Sequence, residues 1–119
     1  MNKNILVGAS HDKNLELLTG FLENQGYNAH AVSRVGEIDE ALEEQISFDM
    51  SLIDITGFGD SIWNRCERLR KHGIPFFIIS PKKARQPEGK SLQSGARDFL
   101  TKPLDKGRLL KLVQLILEE

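Results

Sequence analysis

The feature that most limits how this chain can fold is an unbroken alternation of short apolar runs with longer amphipathic ones. Ile5-Leu6-Val7 is a short apolar strand, followed by Gly8-Ala9-Ser10 and then polar residues. Over residues 12–25, Leu15, Leu18, Phe21 and Leu22 recur at helical spacing. Asp12 stands where a helix cap would, and Gly26 ends the run. Residues 27–32 read as a second, weaker strand. Ser33 can cap a helix whose stripe is Ile38, Ala41, Leu42 and Ile46. Met50-Ser51-Leu52-Ile53 is a third strand, and it runs straight into Asp54.

The pattern repeats in the second half. After the two-glycine loop ITGFGDS, Asp60 or Ser61 can cap a helix that buries Ile62, Cys66 and Leu69, with Trp63 beside them. Gly73 closes it, and Pro75 opens the strongly apolar strand Phe76-Phe77-Ile78-Ile79. The next stretch, PKKARQPEGKSLQS, has two prolines, a glycine and only Ala84 and Leu92 as apolar residues. Any helix over residues 82–94 is therefore expected to be short or irregular, and that segment the least ordered part of the domain. Residues 97–101 form a last strand, followed by Lys102-Pro103. Asp105 can then cap a final helix with a broad apolar face: Leu109, Leu110, Leu112, Val113, Ile116 and Leu117.

Five strands alternating with five helices favour a doubly wound α/β fold, a parallel sheet covered on both faces. The central strands are near-continuous apolar runs, as buried parallel strands should be. Residues 1–119 fit a single domain. In such sheets the functional site lies at the carboxyl ends of the strands. That rule selects Ala9, Ser10, Asp54, Ser80 and Lys102.

Composition removes other classes. A formal net charge of -1 argues against a chain dedicated to nucleic acid. The basic residues Lys82, Lys83, Arg85 and Lys90 read as solvated loop charge, with no interleaved aromatics for base stacking. No apolar run reaches membrane-spanning length, and the first residues read as neither signal peptide nor anchor. The one cysteine, Cys66, forms no internal disulfide and reads as a small core residue, so a cytoplasmic setting is expected. His11, His30 and His72 share no metal-ligand spacing. There is no GxGxxG and no Walker loop, and no nucleophile-base-acid set is evident. The chain is therefore expected not to be an enzyme, and a cofactor-binding domain is the less favoured alternative.

At this point the residues carry a resemblance. NILVGASHDKNLELLTGFLENQGY resembles the opening strand and helix of response-regulator receiver domains. FDMSLIDITGFGDS resembles that family's segment around the phosphoacceptor aspartate, IPFFIIS its fourth strand, and SGARDFLTKPLD its GADDYLTKPF segment. The match spans essentially the whole chain with its order intact. It implies a flavodoxin-like fold with strand order 2-1-3-4-5. It places Asp54 at the phosphoacceptor position, Ser80 and Lys102 at phosphoryl-contact positions and Phe99 at the aromatic switch position, where a plain packed aromatic is the alternative. It also implies a cis Lys102-Pro103 bond. Protein partners (a histidine kinase, an output domain or another signalling protein) would use the face of the fourth helix, fifth strand and fifth helix, and a homodimer stays open.

The departures carry as much weight. The acidic pair that follows the family's first strand is Ala9-Ser10 here, and the loop after Asp54 is Gly57-Phe58-Gly59, one residue shorter than the pattern. That loop reads as a flexible turn rather than a phosphate nest. Magnesium wants octahedral oxygen ligands. Asp54 and the Thr56 carbonyl, assisted by the Ser10 hydroxyl, are expected to bind it weakly, so no metal cofactor is expected. Asp54 should instead form a one-to-one ion pair with Lys102. The expected function is that of an atypical receiver, a pseudo-receiver acting through its surface. A receiver that still accepts phosphate on Asp54 with an altered metal site is the alternative.

Overall fold

The computed structural model describes residues 3–81 and 95–118. Their elements follow in the order β1 (Asn4–Ala9), α1 (Asp12–Asn24), β2 (Asn28–Val32), α2 (Val35–Glu43), β3 (Met50–Asp54), α3 (Ser61–Lys71), β4 (Phe76–Ser80), β5 (Asp98–Thr101) and α4 (Lys106–Leu117). The five strands form one sheet in the order β2-β1-β3-β4-β5. All four pairings are parallel. The short helix expected over residues 82–94, and the basic residues Lys82, Lys83, Arg85 and Lys90, lie outside the described residues.

The pleat sorts the strand residues into two cores. Ile5, Val7, Leu52, Phe77 and Ile79 point to one face and pack against Leu18 and Leu22 of α1 and Leu109 and Val113 of α4. Leu6, Ile53, Phe76 and Ile78 point to the other, against Ile38 of α2 and Ile62, Cys66 and Leu69 of α3. Successive side chains alternate across a strand, so a run that is apolar throughout has to be covered twice. Ser51 is the polar interruption in β3, fully buried, and its hydroxyl donates to the Leu6 carbonyl at 2.7 Å.

Helix ends differ from expectation in detail. Asp12 is the first helical residue of α1, not its cap, and His11 holds the N-cap position. Ser33 does not cap α2 either; Arg34 holds that position. The carboxylate of Glu37 reaches back instead and accepts from the Ser33 N–H at 2.9 Å and the Arg34 N–H at 3.0 Å. Those bonds, Ser33's first, hold the Glu37 carboxyl below its usual range. Asp60 is the N-cap residue of α3. Asp105 caps α4 as expected, accepting from the Arg108 N–H at 3.2 Å. Gly26 and Gly73 follow α1 and α3 with φ of 93° and 72°.

Candidate functional site

Register brings the expected residues to one rim of the sheet. Ala9 at the end of β1 lies opposite Asp54 at the end of β3. Asp54 in turn pairs with Ile79 of β4, and Ser80 with Thr101 of β5. The Lys102 N–H continues this ladder, donating to the Ser80 carbonyl at 2.9 Å. The Lys102-Pro103 bond that follows is cis.

The centre of the rim is an ion pair between a buried carboxylate and a partly exposed lysine. Asp54 is 2% exposed, and its Oδ2 lies 2.8 Å from Lys102 Nζ. Its Oδ1 accepts from the Thr56 N–H at 3.1 Å. Lys102 Nζ also donates to Thr56 Oγ1 at 3.2 Å, so the lysine ties the end of β5 to the loop after β3. Ser80 is fully buried, and its hydroxyl has no hydrogen-bond partner among the described residues.

Ala9 and Ser10 occupy the far side of this pair. Ala9 is buried at 1% exposure and contributes a methyl group. Ser10 Oγ donates to the Thr56 carbonyl at 2.6 Å. That carbonyl belongs to a four-residue turn closed by the Phe58 N–H on the Ile55 carbonyl at 3.2 Å. Gly57 sits third in the turn at φ 85°, a conformation a type II turn requires there and glycine supplies without strain. A Cβ on Gly57 would overlap Ser10 Oγ. The loop is better anchored than its two glycines suggested, because Phe58 is buried against the α2–α3 core.

The other singled-out residues stand apart from the rim. Phe99 is half-buried on β5 against the α2–α3 core. His30 packs edge-on against Phe48, with ring centroids 5.2 Å apart. Among the described residues, no three His, Cys, Asp or Glu side chains gather in one place. Cys66 is fully buried, and burial, with a smaller contribution from Glu67, pushes its thiol up to about 12. One feature escaped the sequence reading: a cavity of about 250 Å³ beside Asp54 and Lys102, walled by Leu17, Phe21, Leu104 and Leu109. Leu17 is 62% exposed. Its place off the α1 stripe was the available signal.

Comparison with known proteins finds relatives in both sequence and fold. The family model for the response regulator receiver domain matches residues 5–114. The protein PilH of Pseudomonas aeruginosa is 32% identical over 104 residues, which are 84% of this chain and 85% of PilH. The heme response regulator HssR of Staphylococcus epidermidis is 24% identical over 115 residues, 96% of this chain but 51% of that protein. The crystal structure of a two-component response regulator from Clostridium difficile aligns with a TM-score of 0.83 at 25% identity, covering 99% of this chain and 98% of that one. With its parallel sheet in the order 2-1-3-4-5, an aspartate and a lysine facing each other at the strand ends, and a family match over nearly its whole length, this chain belongs to the response regulator receiver domain family.

Proposed function

We propose that this receiver works in two-component or phosphorelay signalling as a protein-interaction module, without the usual magnesium-dependent phosphorylation. The observation that carries this reading is the 2.6 Å hydrogen bond from Ser10 to the Thr56 carbonyl, the carbonyl that the family pattern would offer to a metal. Magnesium demands near-octahedral oxygen coordination and dehydrates reluctantly. Here one position is the methyl of Ala9, and the hydroxyl of Ser10 directs its proton into the site. Both oxygens of Asp54 are engaged, by Lys102 and by the Thr56 N–H. The residues present do not fit the ion. Without it, little remains to neutralise the charge that develops on a transferring phosphoryl group.

The output of such a module is its surface. On this reading the partner, a histidine kinase, an output domain or another cytoplasmic signalling protein, meets the face that the segment between β4 and β5 shares with β5 and α4. A second reading keeps Asp54 as a phosphoacceptor, and one observation favours it: the Ser80 hydroxyl is buried without a partner where a phosphoryl oxygen would be met. Incubation with acetyl phosphate and magnesium, followed by intact mass measurement, separates the two. The first reading expects no phosphoryl adduct. An adduct on the native chain that is lost in Asp54→Asn would establish the second.

A further inference from the structure

We infer that Ser10 is a positioning residue whose hydroxyl proton takes the place of a cation, fixing the Thr56 carbonyl and with it the loop beside Asp54. The inference rests on the metal-independent reading above and states what sets the site's shape instead. Thr56 is where the bonds converge. Its N–H donates to Asp54, its hydroxyl accepts from Lys102, and its carbonyl accepts from Ser10. The ends of β1, β3 and β5 are thus joined through one residue. The Thr56 carbonyl accepts the Ser10 hydroxyl proton at 2.6 Å, and removing that donor would cost the turn a net hydrogen bond.

Gly57 fits the same device. Its φ of 85° suits glycine, and the space where its Cβ would stand is taken by Ser10 Oγ. The hydroxyl and the missing side chain are therefore matched. The turn can approach β1 closely because residue 57 has no Cβ, and the approach brings the carbonyl within reach of Ser10. Asp54 and Lys102 are held opposite each other by this frame with no ion required.

The test is amide hydrogen exchange by NMR on the whole chain, read at Phe58, whose N–H closes the turn. Ser10→Ala should speed exchange there roughly five- to tenfold, the loss of one net hydrogen bond. Ser10→Thr keeps the hydroxyl and should restore protection. Gly57→Ala should be much more damaging in the native background than alongside Ser10→Ala, because the added methyl overlaps Oγ. Magnesium chloride should change exchange in neither the native chain nor Ser10→Ala. It should slow exchange in Ser10→Asp, where a carboxylate faces the carbonyl and a cation can bridge them. Unchanged exchange in Ser10→Ala, no rescue by threonine, or strictly additive effects with Gly57→Ala would overturn the inference while leaving the metal-independent reading intact. Saturable magnesium binding to the native chain with loss of the Ser10 bond would overturn both.

Discussion

At the scale of single residues, the site is governed by an asymmetry between its two charges. Asp54 has a side chain 3% exposed, whereas that of Lys102 is 31% exposed. Removing one partner of a buried pair leaves an uncompensated charge, and the cost depends on which charge is stranded. Lys102→Ala strands the buried carboxylate and should lower unfolding stability by about 2 kcal/mol, discounted for the partial exposure of the lysine. Asp54→Asn strands only the lysine, whose ammonium can turn to water, and should cost about 1 kcal/mol or less. Urea unfolding of both variants checks this, and a larger loss in Asp54→Asn would contradict it. Cys66 gives a second residue-scale expectation. With its thiol fully buried and pushed up to about 12, it should resist thiol reagents at neutral pH until the chain unfolds. Rapid labelling of the native chain would contradict the packing described. Asp54 and Lys102 were legible in the sequence because each stands at the carboxyl end of a strand, and topology brings such positions together. The Ser10–Thr56 bond was not, because it depends on a turn conformation that two glycines permit but do not dictate.

At the scale of elements, apolar spacing was the dependable signal and capping chemistry the less dependable one. The stripes Leu18/Leu22 and Ile62/Cys66/Leu69 are buried as their spacing required. Ser33 and Asp12 are good capping residues by type, yet neither caps. Side-chain preference nominates several candidates per helix start, and the path of the incoming chain decides among them. Nor could periodicity foresee the clamp between α2 and α3. Asp39 receives Arg65 at 2.8 Å and Arg68 at 2.6 Å, an arrangement that depends on how two helices lie side by side. The Arg65 hydrogen bond, then its charge, then Arg68 hold the Asp39 carboxyl below its usual range. A carboxyl whose folded pKa is depressed stabilises the fold above its unfolded pKa, and that contribution is lost as pH falls through the folded value. Asp39→Asn should therefore cost about 1 kcal/mol at neutral pH, a surface-type pair. The gap to the native chain should close below the ordinary carboxylate range. Urea midpoints at neutral and acid pH measure it, and a gap that widens in acid would contradict the assignment.

For the whole molecule, order and spacing of elements specified the architecture well before any side-chain geometry was known. Five apolar strands separated by amphipathic segments leave few arrangements other than a sheet covered on both faces, and the observed order β2-β1-β3-β4-β5 places the polar strand ends at one rim. The two ends of the fold are joined as well. The Tyr27 hydroxyl, beside the start of β2, donates to the Glu118 carboxylate at the end of α4, and burial together with that carboxylate pushes the phenol up to about 12. At the rim, a methyl and a hydroxyl stand where the family pattern that the sequence resembles has two acids. The central claim is that this exchange makes the site independent of magnesium. Titrating the native chain and the double variant Ala9→Asp with Ser10→Asp with magnesium chloride, followed through backbone amide shifts, tests it most directly. The account predicts no saturable shift around Asp54 in the native chain up to about a millimolar, and saturable binding in the double variant once the acidic oxygens are returned. Saturable shifts centred on Asp54 in the native chain within that range would contradict it.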